Sequence, residues 1–303
     1  MLPKILKGII PPIVTPLLTP EKLDTDGLQK LIEHVISGGV HGIFVLGTTG
    51  EGPSLSKPLQ FELIQRSTEQ ISGRIPVLVG ISSASFGNSL ELAEHAANCG
   101  ADAVVLAPPY YFPSGQPELL EYLEHLAPRL PLPLFLYNMP SMTKVDISVD
   151  TLKKAAGIPN IAGFKDSSGN MIKFHEYLTA VQRDDFTLLM GPEELMAESV
   201  IFGGHGGISG GANLYPELFV ALYNAAVAKD MDRVVKLQKQ LFVLRRLYSC
   251  GQYCSTFIKG VKCALNIKGI CSDCMAEPFN AFRMPERRRV ASLLEEFENQ
   301  YSL

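Results

Sequence analysis

The stretch NIAGFKDSSGN, residues 160–170, carries the chain's most reactive arrangement of residue types. Apolar and small residues lead into Lys165, and acid, hydroxyls and glycine follow at once. A lysine at the end of a buried strand has its charged form disfavoured, which lowers its pKa and exposes a neutral amine able to attack a carbonyl carbon. The chemistry offered is imine (Schiff base) formation. The competing reading is a lysine kept cationic by Asp166 or a glutamate, and position alone weighs the two evenly.

Other candidates have the same setting. Tyr137 closes the apolar run PLFLYNMP, so its hydroxyl needs a partner: one strand from Lys165 it could shuttle protons, and without the lysine it would read as a core tyrosine bonded to a carbonyl. The turn GTTGEG, 47–52, offers backbone N–H groups and the hydroxyls of Thr48 and Thr49, which suits a small carboxylate. Ser167, just beyond Lys165, joins the candidate substrate-binding residues.

These residues need a scaffold. Short apolar runs start at 8, 42, 76, 103, 134, 161, 187 and 206, roughly one βα unit apart. Amphipathic helices lie between them, as in DTDGLQKLIEHVISGG, where Leu28, Leu31, Ile32 and Val35 fall on one face. Gly39, Gly73 and Gly100 punctuate helix ends. The pattern is α/β and predicts a TIM (β/α)8 barrel over residues 1–225. A C-terminal three-helix extension follows over 226–303. An open doubly wound sheet is disfavoured, because no GxGxxG follows the first strand. In a barrel the active site gathers at the C-terminal strand ends, and Lys165 is the only lysine there.

With 46% hydrophobic and 19% charged residues, the 303-residue chain has a globular composition. Its net charge of −4 argues against a nucleic-acid surface. No apolar run approaches the roughly 20 residues of a membrane span, and the N-terminus lacks a signal-peptide pattern, so a cytoplasmic protein is expected. The thiols of Cys250, Cys254, Cys271 and Cys274 could close a zinc site if the fold united them; reduced, partly buried thiols are the plainer alternative. The chemistry as read calls for no cofactor.

Taken together, GIIPPIVTPL, GVHGIFVLGTTGE, APPYY, PLFLYNMP, GFKDSSGN and GGHGGIS resemble the dihydrodipicolinate synthase and N-acetylneuraminate lyase superfamily of class I, pyruvate-handling aldolases, over nearly the whole chain. The resemblance implies that Lys165 forms the imine with a 2-oxo acid and that Tyr137 transfers protons. Thr48 would link Tyr137 to Tyr111 of a neighbouring subunit, in an assembly that is at least a dimer and typically a tetramer. Thr49, with the Thr48 and Thr49 N–H groups, would hold the pyruvate carboxylate, and Ile208 would offer its carbonyl near the imine.

Two positions bear on the second substrate. Dihydrodipicolinate-forming members carry an arginine where this chain has Met142, and a methionine cannot clamp a carboxylate. Glu193 and Glu194 correspond to the acidic pair that receives substrate hydroxyls in sialic acid lyases and sugar-acid aldolases; alternatively they simply begin a helix. The serine used by the lyases falls on Gly210 here. The preferred substrates are therefore 2-keto-3-deoxy sugar acids. Dihydrodipicolinate synthesis, N-acetylneuraminate cleavage and keto-deoxy acid dehydration are the alternatives, and a non-catalytic phosphate- or sugar-binding barrel is the rival of another class.

Overall fold

The computed structural model describes residues 5–301, and its centre is a closed ring of eight parallel strands. They are β1 (Gly8–Ile9), β2 (Ile43–Val45), β3 (Val77–Gly80), β4 (Ala103–Leu106), β5 (Leu134–Asn138), β6 (Ile161–Asp166), β7 (Thr187–Met190) and β8 (Gly206–Gly207). Consecutive strands pair from β2 to β8, and β8 pairs with β1. Phe44 closes the ring: its N–H donates to Pro11, and its carbonyl accepts from Ile13. All eight strands lie within the runs expected from sequence, but each is shorter. The outer parts of those runs become βα turns, where prolines and glycines leave the ladder. The last residue of the first run, Leu17, instead opens the short strand Leu17–Thr19, which pairs antiparallel with Lys22–Leu23.

Side chains alternate across this ring. Ile10, Phe44, Leu78, Val105, Phe135, Leu189 and Ile208 fill its interior. Their neighbours, such as Val45, Val79, Val104 and Leu136, pack outward against the helices.

The surrounding helices are α1 (Thr25–Ser37), α2 (Lys57–Ile71), α3 (Phe86–Asn98), α4 (Gln116–Leu126), α5 (Pro140–Thr143), α6 (Val149–Ala155), α7 (Met171–Ala180), α8 (Met196–Ile201) and α9 (Pro216–Val227). Asp24 caps α1 by accepting from Gly27 N–H, and Asn170 caps α7 through Lys173 N–H. Gly39, Gly73 and Gly100 follow helix ends with positive φ. Three further helices, α10 (Met231–Leu244), α11 (Thr256–Ile267) and α12 (Met284–Tyr301), follow, with a 3-10 turn at Arg245–Ser249. Among the described residues, no helix is long and apolar enough to cross a membrane.

Candidate active site

A β-bulge aims Lys165 into the barrel. Leu134 pairs with Ile161, but Phe135 pairs with Gly163, so Ala162 is the extra residue. Beyond it, Phe164 faces outward against Tyr177, and Lys165 turns inward beside Tyr137, its partner in register. Gly163 is required here: a Cβ would lie 2.4 Å from the Phe135 ring and 2.9 Å from the Thr187 carbonyl oxygen.

Lys165 is only 4% exposed. Its Nζ lies 3.9 Å from the centroid of the Tyr137 ring and 5.4 Å from that of Phe44. Burial pushes its pKa below the usual lysine value, against the opposing pull of Tyr137. No carboxylate among the described residues pairs with it. Asp166, the counter-ion offered by the sequence, points to the other face: Oδ1 accepts from Asn138 Nδ2 at 2.8 Å, and Oδ2 from Ser168 Oγ at 2.8 Å. Burial raises the Asp166 pKa, against the hydrogen bonds from Asn138 and Ser168 and the charge of Lys173.

Around the amine stand the proton-transfer candidates. Burial, the largest single influence, would raise the Tyr137 pKa, but the Lys165 charge and hydrogen bonds to Thr48, Ser167 and Lys165 together outweigh it, and the net shift is downward. Thr48 Oγ1 and the Tyr137 hydroxyl are 3.4 Å apart, either one donating. Gly191 makes room for Ser167, whose Oγ would lie 1.9 Å from a Cβ there. Ile208 is buried in the same interior cluster. Thr49 is buried in the turn, where Glu51 N–H donates to Thr48 and Gly52 N–H to Gly47. Leu46 and Glu51, at φ 60° and 55°, hold the left-handed conformation that non-glycine residues rarely take, and such positions concentrate at functional sites.

Above Phe44 and Tyr137 opens a cavity of about 240 Å³. Its wall includes Met139, Met142 and Thr143 from the turn after β5, with Thr48, Ser54, Ser82 and Tyr110 from neighbouring turns. Cys254, Ser255, Ile258 and Phe279 complete it from the C-terminal segment. None of these described lining residues is Lys or Arg. Lys144 folds back instead, its Nζ donating to the Ser141 carbonyl at 2.8 Å. Glu51 is the one carboxylate in the wall, and it is paired with Lys262 at 2.8 Å. A larger hollow, about 490 Å³, lies among the C-terminal helices and shares Ser255 and Phe279 with the first. Size favours that hollow, but Tyr137 and Thr48 line the smaller one.

Some expected site residues lie elsewhere. Glu193 and Glu194, expected to receive substrate hydroxyls, have both been given protein partners. Glu193 accepts from Gly211 N–H at 2.7 Å and from Tyr248 Oη at 2.6 Å, and burial raises its pKa to about 7. Glu194 pairs with Arg245, and its carbonyl accepts from Gln238. The β7 turn thus anchors the C-terminal helices to the barrel. Tyr111 is 75% exposed, edge-on to Phe112, so the role expected of it requires a second copy of the chain. All six cysteines are free, and the described residues hold no group of three or more metal-ligating side chains. Ser255, Ile258 and Phe279 were not legible as site residues, because they lie far beyond the barrel in sequence. Lys262, one turn after Ile258 and set between the apolar Val261 and Cys263, was the available signal.

The geometry brings together a buried amine, a phenol with a hydroxyl relay, and a turn of backbone N–H groups. These are the parts needed to form and protonate an imine of a small oxo acid.

A sequence model of the dihydrodipicolinate synthetase family matches residues 5–297. Among solved structures, a dihydrodipicolinate synthase from Bacteroides thetaiotaomicron is 54% identical, with a TM-score of 0.93 over 96% of this chain and 98% of that one. A prophage protein of the dihydrodipicolinic acid synthase family from E. coli K12, solved with pyruvate, is 28% identical, with a TM-score of 0.91 over 96% and 98%. The 4-hydroxy-tetrahydrodipicolinate synthase of Methanosarcina mazei is 36% identical over 240 residues, 79% of this chain and 82% of the relative.

Proposed function

The chain belongs to the dihydrodipicolinate synthetase family of lyases, and from that premise we propose that it is a class I aldolase that cleaves 2-keto-3-deoxy sugar acids to pyruvate and an aldehyde, or condenses them. The observation that carries the reading is Lys165, buried without a carboxylate partner among the described residues and placed against Tyr137.

In this reading the neutral Lys165 amine attacks C2 of the oxo acid, and loss of water gives the imine. Tyr137 takes the proton of the C4 hydroxyl as the C3–C4 bond breaks, and the bonding pair passes into the imine as an enamine. The aldehyde leaves, C3 is protonated, and water releases pyruvate. The Thr48–Thr49 turn holds the carboxylate, with Ile208 and Ser167 beside the imine.

Substrate preference rests on the cavity wall. Met142 stands where a carboxylate clamp would be needed, while Ser54, Ser82 and Ser255 bring hydroxyl-bearing residues to the wall. Such a wall suits a polyol tail better than a second carboxylate. The polyol would meet these hydroxyls rather than Glu193 and Glu194, a revision of the basis on which the sequence suggested this substrate. Dihydrodipicolinate synthesis is the second reading, favoured by the names of the relatives. In either case residues 1–225 would supply the catalytic barrel and 226–303 part of the cavity wall. A dimer or tetramer would bring Tyr111 to the Thr48 of another copy.

Borohydride reduction with pyruvate should trap an adduct on Lys165, absent from Lys165→Ala. No adduct, or one that survives the substitution, ends the reading. Pyruvate release from a panel of keto-deoxy acids and sialic acid, run beside coupled dihydrodipicolinate synthesis, decides the substrate. Turnover only in the coupled assay overturns the assignment based on Met142.

A further inference from the structure

Lys262 and Glu51 form an ion pair across the boundary between barrel and C-terminal helices, with side chains 0% and 1% exposed. Lys262 Nζ donates to Glu51 Oε1 at 2.8 Å and to the Cys274 carbonyl. Glu51 Oε2 accepts from Ala276 N–H at 2.9 Å. Both carboxylate oxygens are therefore held by α11 and the segment after it. Burying two charges is costly, and such a pair adds little stability over apolar residues of the same size. Its location suggests another use. Glu51 belongs to the turn that contains Thr48 and Thr49, its N–H donates to the Thr48 carbonyl at 3.1 Å, and its backbone is left-handed.

Two consequences follow from this geometry. The carboxylate fixes the turn from outside, so the orientation of the Thr48 and Thr49 N–H groups depends on a contact 211 residues away in sequence. Glu51 also supplies the only carboxylate in the described cavity wall, beside the place where an anionic substrate would sit. Without a cation, its charge would repel that substrate through a low-dielectric wall.

We propose that Lys262 is a positioning residue for the oxo-acid carboxylate: through Glu51 it holds the 48–49 turn and cancels the one negative charge in the cavity wall. The proposal rests on reading that turn as the carboxylate cradle. Lys262 touches no substrate, so its removal should weaken pyruvate binding and leave bond making and breaking nearly intact.

The experiment measures steady-state kinetics and the pyruvate concentration needed for half-maximal borohydride trapping, in wild type, Lys262→Met, Glu51→Asp and the double variant Glu51→Gln/Lys262→Met. The shortened Glu51→Asp keeps the charge and tests the hold on the turn, should Lys262→Met fail to fold. Lys262→Met and Glu51→Asp should each raise the pyruvate KM and the half-trapping concentration about tenfold, with kcat within about threefold of wild type. The double variant should recover most of the loss, since it leaves no unpaired buried charge. Wild-type pyruvate affinity in Glu51→Asp or in folded Lys262→Met overturns the proposal, as does a double variant as weak as Lys262→Met. Absence of an adduct in the wild type overturns the imine reading itself, and this proposal with it.

Discussion

The Nζ of Lys165 lies 3.9 Å from the centroid of the Tyr137 ring because neighbouring strands hold the two residues in register. A lysine and a phenol this close titrate as a pair, so each sets the proton that the other can hold. Replacing Tyr137 with Phe keeps the ring and removes the hydroxyl. The turnover number should fall about 10²- to 10⁴-fold. Pyruvate KM should move far less, and steady-state kinetics measures the split.

Lys165 also links activity and stability to pH. Burial depresses its folded pKa below the ordinary 10.5, so reactive amine is present below that pH. Trapping rates should rise with pH and level off below 10.5. For stability the sign is opposite to a favourable ion pair: the residue's contribution is fullest above its unfolded pKa and is lost as pH falls through the folded value. Lys165→Met should therefore abolish the adduct and raise the thermal midpoint at neutral pH, as scanning calorimetry would show.

Gly163 bears on the bulge that aims Lys165. A methyl at this position overlaps the Phe135 ring and approaches the backbone of Thr187, which cannot yield cheaply. Gly163→Ala should cost about 1–3 kcal/mol, as overpacking of a filled core does. A lowered denaturant midpoint with unchanged slope checks it, and trapping should weaken as Lys165 shifts.

Met142 is accessible and lines the cavity. Met142→Arg would place a guanidinium in a wall whose described residues include no cation. Pyruvate release from keto-deoxy sugar acids should decline about tenfold or more. Condensation with aspartate semialdehyde should rise, as followed by the coupled assay.

Glu193 is expected to govern a separate pH dependence. Its folded pKa is raised from 4.5 to about 7, mainly by burial. The associated stability is complete below 4.5 and is lost as pH rises through about 7. The wild-type midpoint should carry that decline, and Glu193→Gln should lack it and be at least as stable at pH 8. Thermal melts across the range provide the comparison.

The barrel was legible because its strands are short apolar runs at regular spacing, and each helix shows one apolar face. Lys165 and Tyr137 were legible because each ends such a run. Bulge geometry was not, since Ala162 looks like any small strand residue until its pairing is seen. Glu193 and Glu194 were ambiguous for a physical reason: acids at a strand end suit a polyol and a buried tyrosine equally, and in the structure they hold Tyr248 and Arg245. The pair of Glu51 with Lys262 was hidden by sequence distance, and the cavity's outer wall by the same cause.

That outer wall has a consequence for the order of events at the ribosome. Every barrel strand, Lys165 and the Thr48–Thr49 turn emerge before Ser255, Ile258, Lys262 and Phe279. A nascent chain can thus possess Lys165 and this turn while still lacking the C-terminal side of the cavity wall. On the proposed aldolase reading, competence for selective chemistry is among the last properties the polypeptide acquires during synthesis, after the architecture that gives it shape.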